Sequence, residues 1–159
     1  MIATLHQRLT ALILKVSQLS LPVILLLTLV LQTGIMELFA VFWWRKVSEA
    51  LVNDSLLSEF LSVVIAGPIV ETVVFQYAII DFIINRFRSP ALAIVVSAFC
   101  FCLLHYYSLQ YMVATFVSGM LFAFAFLVFR AKNRSAIWWV FVVHALYNLF
   151  IFIMRHTAA

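Results

Sequence analysis

The sequence has 159 residues, of which 67% are hydrophobic and 10% are charged, and its mean hydropathy is +1.17. Soluble domains are roughly 45–50% apolar and about 25% charged, so the composition excludes a soluble protein and indicates a membrane protein. The net charge of +4 comes from basic residues at the ends of apolar runs. Because these residues form no extended basic face, we expect no nucleic-acid partner.

Apolar runs of membrane-spanning length follow one another along the chain. A helix needs about 20 apolar residues to cross the hydrocarbon core, and five runs predict transmembrane helices at residues 21–44, 59–85, 90–107, 109–129 and 136–154. Residues 1–20 have apolar side chains near helical spacing, which predicts an amphipathic helix at the membrane interface. Open sheets cannot span lipid. We therefore expect an all-α, polytopic helix bundle in which residues 1–159 form one domain.

The basic residues predict how this bundle is oriented. Five spans place seven of them on the side of the N-terminus: Arg8, Lys15, Arg86, Arg88, Arg130, Lys132 and Arg134. The opposite side holds Arg45, Lys46 and Arg155. The positive-inside rule then predicts a cytoplasmic N-terminus. We expect a multi-pass protein of the bacterial inner membrane. Trp43 and Trp44, next to Arg45 and Lys46, are typical of an interface anchor.

The two cysteines and the phenylalanines of the fourth span are interpreted as structural residues rather than as parts of a site. Cys100 and Cys102 are two positions apart on a predicted helix and point to roughly opposite sides, so we interpret both as small buried hydrophobic residues. The fourth span is rich in phenylalanine, and we expect these rings to face the lipid: Phe116, Phe122, Phe124, Phe126 and Phe129.

Four polar side chains lie inside the predicted spans, where lipid tolerates them poorly. Glu71 is in the second span, His105 is in the third, and His144 and Asn148 are four positions apart in the fifth, so the last two share a helix face. Ionisable residues within membrane spans usually mark a functional site that several helices enclose. A carboxylate, two imidazoles and an amide from three helices therefore predict an active site.

The spacing of these residues matches some catalytic motifs and excludes others. The sequence contains neither the His-Glu-x-x-His of a zincin helix nor a Gly-x-Ser-x-Gly elbow. It does contain Glu71-Thr72-x-x-x-Gln76, Phe101-x-x-x-His105 and His144-x-x-x-Asn148 in this order. This pattern, over about residues 67–150, resembles the CPBP intramembrane proteases, a family that includes the type II CAAX prenyl endopeptidases and the bacteriocin-processing and self-immunity (Abi) proteins.

The resemblance implies a peptide hydrolase with defined roles for these residues. Glu71 corresponds to the glutamate that activates water, assisted by His105, while His144 and Asn148 correspond to the groups that polarise the scissile carbonyl. The implied partners are the lipid bilayer and a membrane-associated peptide or protein substrate. The resemblance favours a mechanism without a cofactor. A version that depends on zinc or another divalent metal, with Glu71, His105 and His144 as ligands, remains the alternative.

The first motif departs from the family pattern, which is usually Glu-Glu-x-x-x-Arg. Thr72 and Gln76 replace the second Glu and the Arg. Because residues four apart share a helix face, we expect Thr72 and Gln76 to form a neutral hydrogen-bonded pair in place of a charged one. With Phe101, they are the expected supporting residues of the site. The departure leaves open whether the protein is fully active.

Two other classes of function compete with the protease. A catalytically altered or inactive membrane protein would act in bacteriocin self-immunity or as a partner of another membrane protein, and the altered first motif favours this alternative. A proton-coupled carrier would use Glu71 and the histidines as a relay. Five spans without evident inverted repeats argue against the carrier.

Overall fold

The computed structural model describes residues 2–40 and 55–157, and these residues form helices, without a strand among them. The helices, numbered here in chain order, are α1 Ile2–Ser17, α2 Leu21–Ala40, α3 Leu56–Phe87, α4 Pro90–Leu103, α5 Leu109–Ala131 and α6 Ala136–Thr157. Four of these segments are long and apolar enough to cross a membrane, Leu21–Phe39, Leu56–Phe87, Leu109–Ala131 and Ala136–Thr157. The prediction of an all-α, multi-pass helix bundle is confirmed.

The third predicted span is shorter in the structure than in the sequence analysis. Helix α4 ends at Leu103 rather than at residue 107, and its 14 residues rise only about 21 Å. The reason lies in the next helix, since the Ser108 hydroxyl accepts from the Tyr111 amide and caps α5. Leu104 to Tyr107 therefore form the connection, and the placement of His105 inside a helix is wrong. The predicted anchor at Trp43 to Lys46 lies outside the described residues.

Helix α3 is continuous over 32 residues but is not α-helical throughout. Two π-helical stretches, Leu61–Ala66 and Thr72–Ile79, flank the α-helical turn Gly67–Glu71. In a π-helix the backbone bonds run from residue i to i+5, and such stretches occur most often at functional sites. Glu71 is the last residue of the turn between them.

Helix α5 lies at the centre of the bundle and packs against α2, α4, α6 and α1. The phenylalanines Phe122, Phe126 and Phe129 are at most 2% exposed, so the expectation that they face lipid is wrong. Hydropathy does not separate the two environments, because lipid tails are as apolar as a protein core. The close approach of α4 requires Gly119, since an added Cβ there would lie 2.9 Å from Ala98 Cα.

Helix α1 is joined to the bundle through its C-terminal end. Ile13 is buried, and Leu9 and Val16 pack against the same core. The Lys132 ammonium donates to the carbonyls of Ser17 and Leu19 at 3.0 and 2.8 Å. These carbonyls lack partners within α1, and a cation at a helix C-terminus also complements the helix dipole. The basic end of α5 thereby fixes the amphipathic helix.

Helices α3 and α6 run antiparallel and are joined at one end by an ion-pair cluster. Glu59 is 8% exposed and accepts from Arg155 at 2.7 Å, while His156 Nε2 lies 3.3 Å from its other oxygen. The rings of Phe60 and Phe152 pack edge to face beside this cluster. At the other end of α3, Asp81 forms a more exposed pair with Arg130 at 2.8 Å.

Candidate active site

The candidate site centres on a carboxylate and an imidazole that face each other between α3 and α6. His144 Nε2 lies 3.5 Å from Glu71 Oε2. His144 is 5% exposed. Contacts of this length often tighten only when substrate binds. The structure therefore brings together two of the four polar residues that the sequence indicated.

His105 reaches the same region from the turn after α4. Its Nδ1 lies 2.8 Å from the Phe101 carbonyl oxygen. Because a carbonyl only accepts, Nδ1 carries the hydrogen, and Nε2 of the neutral ring remains an acceptor. Burial lowers the pKa of His105, and the bond to Phe101 offsets part of this effect. The net lowering of the pKa favours a neutral imidazole with a free basic nitrogen.

Aromatic rings hold the two imidazoles in a common frame. The Phe101 ring centroid lies 4.6 Å from that of His105 and 6.0 Å from that of His144. Phe122 stacks on His144 at 4.7 Å, and Phe75 packs edge to face against Phe101 at 5.7 Å. Phe101 thus bridges the two histidines. This is the contact expected of a supporting residue one turn before His105.

Asn148 is one turn after His144, but its amide is engaged with the backbone of α3. Its Nδ2 donates to the Val63 carbonyl oxygen at 2.9 Å. This bond accounts for at least one of the two amide hydrogens. The structure therefore places Asn148 beside the first π-helical stretch, about two turns before Glu71 in α3.

The expectation that Thr72 and Gln76 bond to each other is wrong. Both side chains are completely buried, yet neither the Thr72 hydroxyl nor either amide atom of Gln76 has a hydrogen-bond partner among the described residues. Both residues lie in the second π-helical stretch, Thr72–Ile79.

Tyr111 belongs to the site although no sequence motif indicated it. Its ring lies 5.5 Å from that of His105, and its phenol interacts electrostatically with Glu71. The signal available in the sequence was Ser108, an N-cap residue that places Tyr111 on the first turn of α5. Reading the third span through to residue 107 concealed this signal.

A metal-dependent mechanism would use Glu71, His105 and His144 as ligands. Within the described part of the chain, no three His, Cys, Asp or Glu side chains are grouped so that they could hold a metal ion. These residues do not fit the tetrahedral arrangement that zinc requires, and no step of the reaction is assigned to a metal. Cys100 and Cys102 are free thiols.

Glu71, His105 and His144 are thus held by three elements inside an apolar helix bundle, which defines a multi-pass membrane protein with an intramembrane polar site. A low-dielectric setting strengthens interactions between such groups. The family model of the Rce1-like type II CAAX prenyl endopeptidases matches residues 53–150, which is more than half of the chain. The chain belongs to this family, and the resemblance read from its motifs is confirmed.

Membership in the family indicates a membrane-embedded endopeptidase, a peptide hydrolase. The matched segment contains all three motifs, together with the π-helical stretches of α3. Neither the search of curated proteins nor the search of solved structures finds a match.

Proposed function

We propose that the protein hydrolyses a peptide bond of a membrane-associated peptide or protein, with Glu71 as the base that activates water. The observation that carries this proposal is the contact between Glu71 Oε2 and His144 Nε2 at 3.5 Å. A positioned base contributes roughly 10²–10⁴-fold to a hydrolytic rate. In this site the base lies between apolar helices, where bulk water competes least with its interactions.

The proposed reaction assigns one role to each of three side chains, Glu71, His105 and His144. Glu71 takes a proton from water, and the resulting hydroxyl adds to the scissile carbonyl carbon. The free Nε2 of His105 accepts a hydrogen bond from the same water and orients it. His144 stabilises the negative charge that develops on the carbonyl oxygen. The C–N bond then breaks as Glu71 returns its proton to the leaving amine.

The substrate class follows from the position of the site. Glu71 lies near the middle of a 32-residue helix, so the scissile bond has to enter the membrane region. A peptide with an apolar or lipid-modified end meets this requirement. The family name includes CAAX prenyl endopeptidases, which makes a farnesylated CAAX peptide the first substrate to test. The proposed location is the bacterial inner membrane.

The first motif supports a second candidate function, a catalytically altered protein that acts in self-immunity or as a membrane-protein partner. Thr72 and Gln76 are neutral and completely buried, whereas the family pattern that the motifs resemble has a charged pair there. The structure keeps Glu71 and His144 in contact despite this change. This contact is the reason for placing hydrolysis first.

The experiment is a cleavage assay with purified protein in liposomes. Three peptides are compared: a farnesylated CAAX peptide, the same peptide without the farnesyl group, and a single-span apolar peptide. Glu71→Gln is expected to lower hydrolysis at least about 100-fold. The control Asp81→Asn makes the same chemical change in the same helix outside the site, and it is expected to retain activity. Equal cleavage by wild type and Glu71→Gln would refute the proposal.

A further inference from the structure

The first π-helical stretch of α3 leaves one backbone carbonyl without a donor from its own helix. The Gly67 amide donates to the Ser62 carbonyl, which is the i to i+5 register. In this register the next acceptor, Val63, would receive its hydrogen bond from residue 68. That residue is Pro68, which has no N–H. Since the Gly67 amide is already engaged with Ser62, Val63 lacks a backbone partner in either register.

Asn148 supplies the missing donor from the neighbouring helix. Its Nδ2 lies 2.9 Å from the Val63 oxygen, a typical N–H···O distance. A carbonyl without a partner is costly in a membrane-spanning helix, because lipid offers no donor that could satisfy it. The interaction therefore compensates for a backbone bond that the proline removes.

This bond is one of the polar contacts that set the register of α3 against α6. Glu71 contacts His144, Val63 accepts from Asn148, and Glu59 pairs with Arg155. The partners run in opposite directions along the two helices, as antiparallel packing requires. Asn148 is one turn from His144, so a shift at Val63 would also change the separation of Glu71 and His144.

We propose that Asn148 is a positioning residue: it replaces the hydrogen bond that Pro68 withholds from Val63 and thereby keeps Glu71 facing His144. The catalytic part of this inference rests on the proposed function, whereas the structural part does not. The role differs from direct stabilisation of the oxyanion, which the family resemblance implies for this residue. The Asn148 amide acts on the enzyme backbone.

A double-mutant cycle between Asn148 and Pro68 tests the inference. Pro68→Ala restores an N–H that can bond the Val63 oxygen, so it should make Asn148 less important. In the wild-type background, Asn148→Ala is expected to lower the thermal unfolding midpoint and to reduce hydrolysis of the farnesylated peptide about tenfold. In the Pro68→Ala background, Asn148→Ala should reduce hydrolysis less than about threefold. It should also shift the unfolding midpoint by less than about half of the shift in the wild-type background. Asn148→Leu, which keeps most of the volume, is the second variant if Asn148→Ala does not fold.

The control is Ser97→Ala, which removes a second side-chain bond to a π-helical carbonyl, from the Ser97 hydroxyl to Phe75 at 2.9 Å. Ser97→Ala should lower the unfolding midpoint and the rate of hydrolysis by the same amounts in the wild-type and the Pro68→Ala backgrounds. The inference would be overturned if Asn148→Ala lowered the unfolding midpoint and hydrolysis equally in the two backgrounds. Rescue of stability without rescue of hydrolysis would also overturn it, because Asn148 would then act on the reacting atoms. If wild type cleaves no peptide, the proposed function fails, while the stability cycle still decides the bond to Val63.

Discussion

Glu71 and His144 face each other across α3 and α6, with Oε2 and Nε2 3.5 Å apart. The contact joins a residue at the boundary between an α-helical turn and a π-helical stretch to a residue in the middle of a regular α-helix. The aromatic rings of Phe101 and Phe122 enclose the imidazole. The site therefore depends on how closely α4, α5 and α6 pack against α3.

Gly119→Ala is expected to destabilise the protein by about 1–3 kcal/mol, the usual cost of overpacking. The new Cβ would lie 2.9 Å from Ala98 Cα and 3.2 Å from the Phe101 ring, so α4 has to move. Thermal unfolding in detergent measures the effect, and hydrolysis should fall because Phe101 contacts both histidines. Gly34→Ala is the control, because its Cβ would meet nothing within 4 Å. A midpoint for Gly119→Ala at or above that of Gly34→Ala would contradict the packing described for α4 and α5.

Gln76→Met is expected to raise the unfolding midpoint. Gln76 is completely buried, and its two amide atoms have no partner among the described residues. Each unsatisfied buried group costs about 1–3 kcal/mol, whereas Met fills a similar volume without a group that has to be hydrogen-bonded. A lower midpoint for Gln76→Met would show that the amide is satisfied in the folded protein, in conflict with the position described for it.

Glu59→Ala is expected to cost more stability than Asp81→Ala, although each removes an acid paired with an arginine. Glu59 is 8% exposed and contacts both Arg155 and His156. The Asp81 and Arg130 side chains are 33% and 43% exposed, and surface pairs contribute roughly 0–1 kcal/mol. Comparing the two unfolding midpoints checks the ranking. Equal losses would mean that the cluster at Glu59 does not join α3 to α6.

The C-terminal end of α6 is expected on the non-cytoplasmic side of the membrane. The predicted topology places seven basic residues on the opposite side of the membrane, and the positive-inside rule assigns that side to the cytoplasm. A reporter enzyme that works only outside the cytoplasm, fused after Thr157, should be active, while a fluorescent reporter that matures only in the cytoplasm should be dark. The reverse pattern would refute this orientation.

The sequence was sufficient to predict the bundle and to single out Glu71 and His144, which the structure places in contact, because lipid restricts both strongly. Apolar runs of membrane length have to be helices, and polar groups such as Glu71 and His144 remain inside them only with partners. The end of α4 could not be predicted from hydropathy, since Leu104, Tyr106 and Tyr107 continue the apolar run. Only the capping role of Ser108 marks the boundary.

The π-helical stretches of α3 were another feature that the sequence did not predict. Their residues have the same apolar composition as an α-helix, so the sequence does not reveal the change in register. This change frees the Val63 carbonyl for Asn148. A regular α-helix at this point would pair Val63 with Gly67 and leave the Asn148 amide free for substrate.

The most direct test of the central claim is a double-mutant cycle of Glu71→Gln and His144→Phe, measured as hydrolysis of the farnesylated CAAX peptide in liposomes. Residues that act as one catalytic unit are strongly non-additive. The double variant is therefore expected to be about as active as the less active of the two single variants. Multiplied losses in the double variant, or unchanged hydrolysis in His144→Phe, would contradict the claim that these two residues form the catalytic centre.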